Sequence, residues 1–228
     1  MNKNIIDIKK IKKIFFHNNK KIELFKNVNI SLKSGELVAL TGPSGSGKTS
    51  LLHIIALLDQ QTDGEISFMG KNVSQLNDNQ KDLIRRNNIS IIFQNNNLLS
   101  DFTALENVSL PLIIRGESQI NATSKAEILL KKINLQKRMH HFPNELSGGE
   151  QQRIAIARAI ISETNLILAD EPTGNLDYKT SQEVFSFFIK LKKMKKTVIF
   201  ATHNRELANK ADYKLRISDG NIKRGNGS

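Results

Sequence analysis

Gly42-Pro43-Ser44-Gly45-Ser46-Gly47-Lys48-Thr49 carries residue types in the order that a phosphate cradle needs. The run fits G-x-x-x-x-G-K-[ST], with an apolar strand pattern before it and an apolar helix pattern after it. Its glycines let backbone N–H groups close around a β-phosphate. The Lys48 ammonium sets a cation against β- and γ-oxygens, and the Thr49 hydroxyl is a hard oxygen ligand suited to Mg2+. With Ser50, the whole run from 42 to 50 is the candidate nucleotide-binding set: Gly42, Pro43, Ser44, Gly45, Ser46, Gly47, Lys48, Thr49 and Ser50. The competing reading is a glycine-rich turn with a chance Lys-Thr pair, which the flanking strand and helix disfavour. By itself the motif does not choose among kinases, GTPases, ATPases and motors.

Leu166-Ile167-Leu168-Ala169-Asp170 supplies the second half of such a site, an apolar strand ending in a carboxylate. Asp170 is placed to hold Mg2+ through water. Glu171 follows as the natural general base, or polariser, for an attacking water. A polar strand end is common, but two adjacent carboxylates after four apolar residues shift the reading toward catalysis. His203 stands one Thr beyond the strand pattern 197–201. A lone histidine is more often structural, yet this one falls at the sheet edge where α/β proteins bind ligands. Gln94 ends another strand and can contact Mg2+ or water.

A second anion-seeking run lies far downstream, Leu146-Ser147-Gly148-Gly149-Glu150-Gln151-Gln152-Arg153. It reads as a loop entering a helix, where unpaired backbone N–H groups and the positive end of the dipole attract anions. Two such helix starts are one more than a single nucleotide needs. The economical explanation is that the second serves the nucleotide of another copy of the chain.

The elements that must position these residues alternate between strand and helix. Residues 5–11 and 22–32 read as strands of a small antiparallel sheet. Residues 36–40 form a continuous apolar strand suited to a buried parallel sheet. A helix is expected over 48–58, a short strand at 66–68, a helix over 78–86 with an Asp cap, and a strand at 90–93. From Asn95 to about Pro143 the pattern turns helical, with helices over 103–110 and 123–133. The sheet pattern resumes at 166–170 and 197–201 around a helix at 179–193. A hairpin turning at Asp219-Gly220 covers 213–223. The expected fold is α/β, with a parallel-sheet P-loop core. It divides into a core at 1–94 and 156–228, opening on an antiparallel β subdomain, and an inserted helical subdomain at 95–155 that carries the second anion site.

The chain has 228 residues, 39% of them hydrophobic, and no cysteine. Disulfides, thiolate metal sites and cysteine catalysis are therefore excluded. No apolar run approaches membrane-spanning length. Met1-Asn2-Lys3-Asn4 lacks the apolar core of a signal peptide, since Ile5-Ile6 meets Asp7 at once. Together these features favour a cytosolic protein. The net charge of +12 raises the question of nucleic acid. The lysines are spread along the chain and alternate with apolar residues, as solvated faces do, so no nucleic-acid partner is expected.

In order and type, the motifs resemble the nucleotide-binding subunits of ATP-binding cassette (ABC) transporters, and the resemblance covers essentially the whole chain. GPSGSGKT at 42–49 is similar to the Walker A loop, Gln94 to the Q-loop, and LSGGEQQR at 146–153 to the family signature. LILADEP at 166–172 is similar to Walker B with its glutamate, Gly174-Asn175-Leu176-Asp177 to the D-loop, and His203 to the switch histidine. The resemblance implies an ATPase that uses ATP and Mg2+, with Glu171, His203 and Gln94 catalytic and Thr49, Gln94 and Asp170 around the metal. It implies a head-to-tail dimer in which Ser147, Gly148, Gly149 and Glu150 of one copy clasp ATP held by the other. It also implies integral-membrane partner subunits, a peripheral location on the cytoplasmic face of an inner membrane, and an aromatic residue stacked on adenine. Phe15 fits that last role, with Phe16 its neighbour and a core Phe the alternative. LLSDFTALENV at 98–108 and EPTGNLD at 171–177 resemble the lipoprotein-releasing (Lol-type) ATPases, within a group that includes macrolide-efflux and cell-division ATPases. This chain departs from that group at Ala56-Leu57, where two glycines are frequent, at Asn204 in place of Asp, and at Phe15 in place of Tyr. Leu98, Leu99 and Phe102 are either a docking patch for a membrane subunit or core of the insert. A regulatory extension after Gly220 of the kind some importers have is not expected.

Overall fold

Four apolar strand patterns separated by helices meet in one sheet, because a strand that is apolar along its length has to bury both faces. The computed structural model describes residues 4–18, 20–174 and 176–226. Met1-Asn2-Lys3 and Asn175 of the D-loop-like run lie outside the described residues. In chain order, β1 (Asn4–His17) and β2 (Lys20–Lys33) form a long hairpin, and β3 (Leu37–Thr41) leads into α1 (Lys48–Ile55). Then come β4 (Asp63–Phe68), β5 (Lys71–Asn72), α2 (Asp78–Asn88) and β6 (Ile89–Ile92). The helical segment holds α3 (Ala104–Ile114), α4 (Gln119–Lys132) and α5 (Gly148–Ile160). The chain closes with β7 (Leu166–Asp170), α6 (Tyr178–Lys193), β8 (Thr197–Ala201), α7 (Arg205–Asn209), β9 (Tyr213–Ser218) and β10 (Asn221–Asn226).

The strands form two sheets. One is antiparallel, ordered β2-β1-β4-β5, and the other is ordered β10-β9-β3-β8-β7-β6. In the second sheet β9, β3, β8, β7 and β6 run parallel, and only β10 is antiparallel. Alternation sorts the side chains of β3 between two cores. Val38 and Leu40 join the cluster that includes α1 and the antiparallel sheet, while Leu37 and Ala39 join the cluster beneath α6. This is the two-residue period of a strand, and it explains the unbroken apolar runs. Phe185 and Phe188 of α6 meet Phe200 of β8 with ring centroids 5.3 and 6.1 Å apart, which seats the helix on the sheet. A third core, separate from these, fills the helical segment: Val108 and Leu112 of α3, Ala126 and Leu130 of α4, and Ile154 and Ala157 of α5.

Several element limits differ from the sequence expectation for local physical reasons. Helix α1 stops at Ile55 because Leu57 takes a left-handed backbone, φ 59°. That conformation suits glycine better than leucine. The cap of α2 is Asn77 rather than Asp78, through a capping box with Gln80. Helix α3 runs through Pro111 to Ile114, because burial of Leu112 in the third core holds the turn that follows the proline. Helix α4 begins at Gln119, capped by Ser118, and α6 begins at Tyr178, capped by Asp177. The insert also does not end at a helix boundary: α5 runs on past residue 155 to Ile160, and its buried residues divide between the second and third cores.

Candidate active site

Four parallel strands end on one edge of the sheet, and each delivers a residue singled out above. The phosphate loop follows β3, Gln94 stands two residues past β6, Asp170 and Glu171 end β7, and His203 stands two residues past β8. A cleft of about 520 Å³ opens there. It is lined by Ser44, Gly45, Gly47, Lys48, Thr49 and Ser50 of the loop, by Gln94, Asp170, Glu171, Gly174 and His203, and by Phe15 and Leu24 of the antiparallel sheet.

Glycine is required in the loop for steric reasons. A Cβ on Gly42 would lie 2.6 Å from the Ile217 carbonyl oxygen and 2.7 Å from Ser46 Oγ. Gly47 caps α1 with φ 99°, and a Cβ there would meet the Phe25 ring at 2.9 Å. Gly42, Pro43 and Ser46 do not line the cleft. Their part is internal: Gly42 and Pro43 offer carbonyl oxygens to Lys48, and the Ser46 N–H donates to the Pro43 carbonyl.

The Lys48 side chain is buried, and its ammonium is satisfied by three groups. It donates to the Gly42 and Pro43 carbonyls, each at 3.2 Å, and lies 3.1 Å from His203 Nε2. The same Nε2 is 3.2 Å from Glu171 Oε1, and the His203 N–H donates to Glu171 Oε2 at 3.3 Å. One ring nitrogen can accept from the ammonium or donate to the carboxylate, but not both at once. Glu171 Oε1 is buried and has no hydrogen bond. Burial raises the Glu171 pKa above the ordinary carboxylate value, and the His203 charge opposes that shift. Glu171 also adopts φ 44°, a left-handed backbone that costs a non-glycine residue about 1–3 kcal/mol. Its N–H donates to the Ala201 carbonyl and its carbonyl accepts from the Gly174 N–H, so the strained turn is pinned on both sides.

Thr49 Oγ1 donates to Asp170 Oδ2 at 2.6 Å. A hydroxyl and a carboxylate in contact, with the Gln94 carboxamide on the same cleft, are hard oxygen donors fit for Mg2+. Mg2+ takes one or two protein oxygens alongside nucleotide phosphates rather than an all-protein cage.

Phe15 and Phe16 part company at the hairpin. Phe15 lines the cleft, with Lys13 Nζ 4.7 Å from its ring centroid and Ile22 opposite it on β2. Phe16 is 78% exposed and pairs with Lys21. Base-on-aromatic stacking is worth about 1–3 kcal/mol. Phe15→Ala is therefore expected to weaken ATP binding by about 5- to 150-fold, and Phe16→Ala to leave it unchanged. Titration of both variants with a fluorescent ATP analogue reads the difference.

The second anion-seeking run stands apart from this cleft. Ser147 caps α5, accepting from the Glu150 N–H while Glu150 accepts from the Ser147 N–H, and Arg138 Nε donates to Glu150 Oε1 at 2.8 Å. Ser147 and Gly148 are exposed, and neither lines the cleft that holds Lys48. A Cβ on Gly148 would touch nothing within 4 Å, so the space above this helix start is open. Gly148 does line a neighbouring depression of about 270 Å³, together with Gln94, Glu171 and Gly174. Sequence reasoning overlooked Arg158, which reaches from α5 to the loop behind Gln94. A long cation in an apolar helix carried no motif signal.

Leu98 packs against the third core, while Leu99 and Phe102 are exposed. Arg115 Nε donates to the Arg86 carbonyl at 2.7 Å and joins the ends of α2 and α3, which expose Leu83 and Ile114. No helix among the described residues is long and apolar enough to cross a membrane.

Comparison with known proteins adds four findings. A family profile described as ABC transporter matches residues 25–174. The lipoprotein-releasing system ATP-binding protein LolD of Rickettsia bellii is 45% identical over 95% of this chain and 97% of its own length. The macrolide export ATP-binding/permease protein MacB of Bdellovibrio bacteriovorus is 43% identical over 96% of this chain, which spans 33% of that longer protein. Among solved structures, a dimeric ATP-binding cassette in a post-hydrolysis state with ADP and Pi superposes with a TM-score of 0.92 at 38% identity, covering 98% of this chain and 99% of that one.

Proposed function

The chain belongs to the ABC transporter family and is an ATP-hydrolysing cassette, and on that premise we propose that it powers the release of lipoproteins from an inner membrane. What carries the proposal is the 45% identity to LolD along nearly the full length of both chains. The exposed Leu99 and Phe102 of the run that resembles Lol-type ATPases support it. Depletion of this protein is expected to strand acylated lipoproteins in the inner membrane. Normal lipoprotein sorting alongside failed drug efflux or division would move the assignment to the macrolide-export or cell-division relatives. The 43% identity to MacB makes export the second reading.

In the proposed cycle, loop amides from Gly45 to Ser50 hold the phosphates. The Lys48 ammonium exchanges its Gly42 and Pro43 carbonyls for phosphate oxygens, which are stronger, charged acceptors. Phe15 takes the adenine face. Mg2+, when bound, neutralises phosphate charge, with Thr49, Asp170 and Gln94 as the protein groups that would hold it. Glu171 is the acceptor for the proton of the attacking water, poised there by its strained turn. His203 donates to the γ-phosphate once Lys48 has left its Nε2. Ser147, Gly148, Gly149 and Glu150 close on the nucleotide of a second copy in a head-to-tail dimer.

The surface from Gln94 to Arg115 is the proposed seat for an integral-membrane subunit, which would hold the protein peripherally on the cytoplasmic face. Phe102→Asp puts a charge on an exposed site and leaves the third core intact. Co-purification with the membrane subunit is expected to fall at least tenfold while ATP binding stays within about twofold of wild type. Loss of ATP binding would place Phe102 in the fold instead.

A further inference from the structure

Between the core and the signature helix the structure holds one joint that no motif describes. The loop behind Gln94 turns sharply: the Asn96 N–H donates to the Phe93 carbonyl at 3.1 Å, and the Asn97 N–H to the Asn95 carbonyl at 2.6 Å. Asn96 and Asn97 are both left-handed, with φ 59° and 45°. Asparagine tolerates that backbone better than most residues, but two in succession require outside support. Arg158 supplies it from α5. Its NH2 donates to the Asn96 carbonyl and its NH1 to the Asn97 carbonyl, each at 2.7 Å.

The arginine is half-buried, and no carboxylate among the described residues lies within salt-bridge range of it. Burial lowers its pKa from the ordinary arginine value. Its two carbonyl bonds are therefore the compensation for a partly desolvated cation. The planar fork meets two consecutive carbonyls at once, a geometry that an ammonium cannot reproduce. Helix α5 is also the helix whose first turn carries Ser147, Gly148 and Gly149.

We propose that Arg158 is a positioning residue that locks the Gln94 loop to the signature helix, so that the two move as one body when nucleotide enters. The proposal rests on the reading of this chain as an ATPase with Gln94 at the nucleotide. Displacement of Gln94 by nucleotide would then carry the start of α5 with it, and rotation of α5 by a partner would withdraw Gln94.

Arg158→Met in the full-length chain tests this, with Arg158→Lys as a milder second variant able to hold one carbonyl at a time. Two measurements are made, hydrogen exchange by mass spectrometry and steady-state ATPase kinetics. Exchange is expected to speed up at least tenfold at residues 95–98 and to stay within about twofold over 150–157. The ATPase kcat is expected to fall at least tenfold with the ATP dissociation constant within threefold of wild type, and Arg158→Lys to fall between. A general loss of stability would instead raise exchange throughout α5 and weaken ATP binding in step with kcat. That result, or exchange at 95–98 unchanged in both variants, overturns the proposal. The exchange measurement needs no turnover. Absence of ATPase activity in the wild type would count against the functional reading and leave the test of the joint intact.

Discussion

Glu171→Gln is expected to keep ATP bound and to lower kcat by about 10²- to 10⁴-fold, the range over which a positioned general base acts. The side chains are nearly isosteric, so the strained turn at φ 44° and its pinning bonds to Ala201 and Gly174 remain. What is lost is the carboxylate acceptor for the proton of water at Glu171 Oε1, which is buried and 3.2 Å from His203 Nε2. Because burial raises the Glu171 pKa, wild-type activity is lost as pH falls through that raised value. The acid limb of kcat/KM, which reports the free enzyme, is therefore expected above the range of an ordinary glutamate, near 4.3. The residual rate of Glu171→Gln has no such limb. Single-turnover hydrolysis and equilibrium ATP binding across pH measure both statements. Wild-type turnover in the variant would remove Glu171 from the chemistry.

In the Glu171→Gln background, ATP is expected to convert the protein to a dimer in light scattering, and adding Ser147→Arg to return it to monomer with ATP still bound. Ser147 and Gly148 are exposed and do not line the cleft that holds Lys48, and Gly148 borders the neighbouring depression with Gln94, Glu171 and Gly174. A γ-phosphate from a second copy is the anion that such a helix start fits. Each charge-assisted contact is worth about 1.5–3 kcal/mol, and two-fold symmetry makes every contact twice. Losing one pair costs about 3–6 kcal/mol, or about 10²- to 10⁴-fold in the dimer dissociation constant. Ser147 also caps α5, and losing a cap costs about 1 kcal/mol. Ser147→Asn, which retains the cap, separates the two effects, because it preserves the helix start without introducing the bulk and charge of arginine. A Glu171→Gln protein that is monomeric with and without ATP would sink the head-to-tail arrangement, and so would a dimer that survives Ser147→Arg.

Much of this site is legible along the chain because its geometry is local. A phosphate loop is a few consecutive backbone amides with glycine where a Cβ cannot fit, as at Gly42 and Gly47. Capping boxes at Thr103–Glu106 and Ser147–Glu150 span three residues and follow from side-chain reach. The buried parallel sheet shows in the unbroken apolar runs of β3, β7 and β8.

Other features depend on contacts between distant segments. Neighbours in a strand point to opposite faces, so the choice between Phe15 and Phe16 rests on the register of β1. That register shifts three times between Ile8 and Ile14, and one slip reverses every side chain beyond it. In the same way Leu98 turns inward while Leu99 and Phe102 turn out, an arrangement decided by the core of α3, α4 and α5. The grip of Arg158 on Asn96 and Asn97 joins positions about sixty residues apart in sequence, and no spacing rule encodes it. Residue types and short spacings determined which chemistry this chain can do, because backbone geometry and side-chain reach act over a few residues. Which aromatic lines the cleft, which leucine stays exposed, and which helix holds the Gln94 loop were decided by the tertiary structure, because packing and register couple segments that the chain order keeps apart.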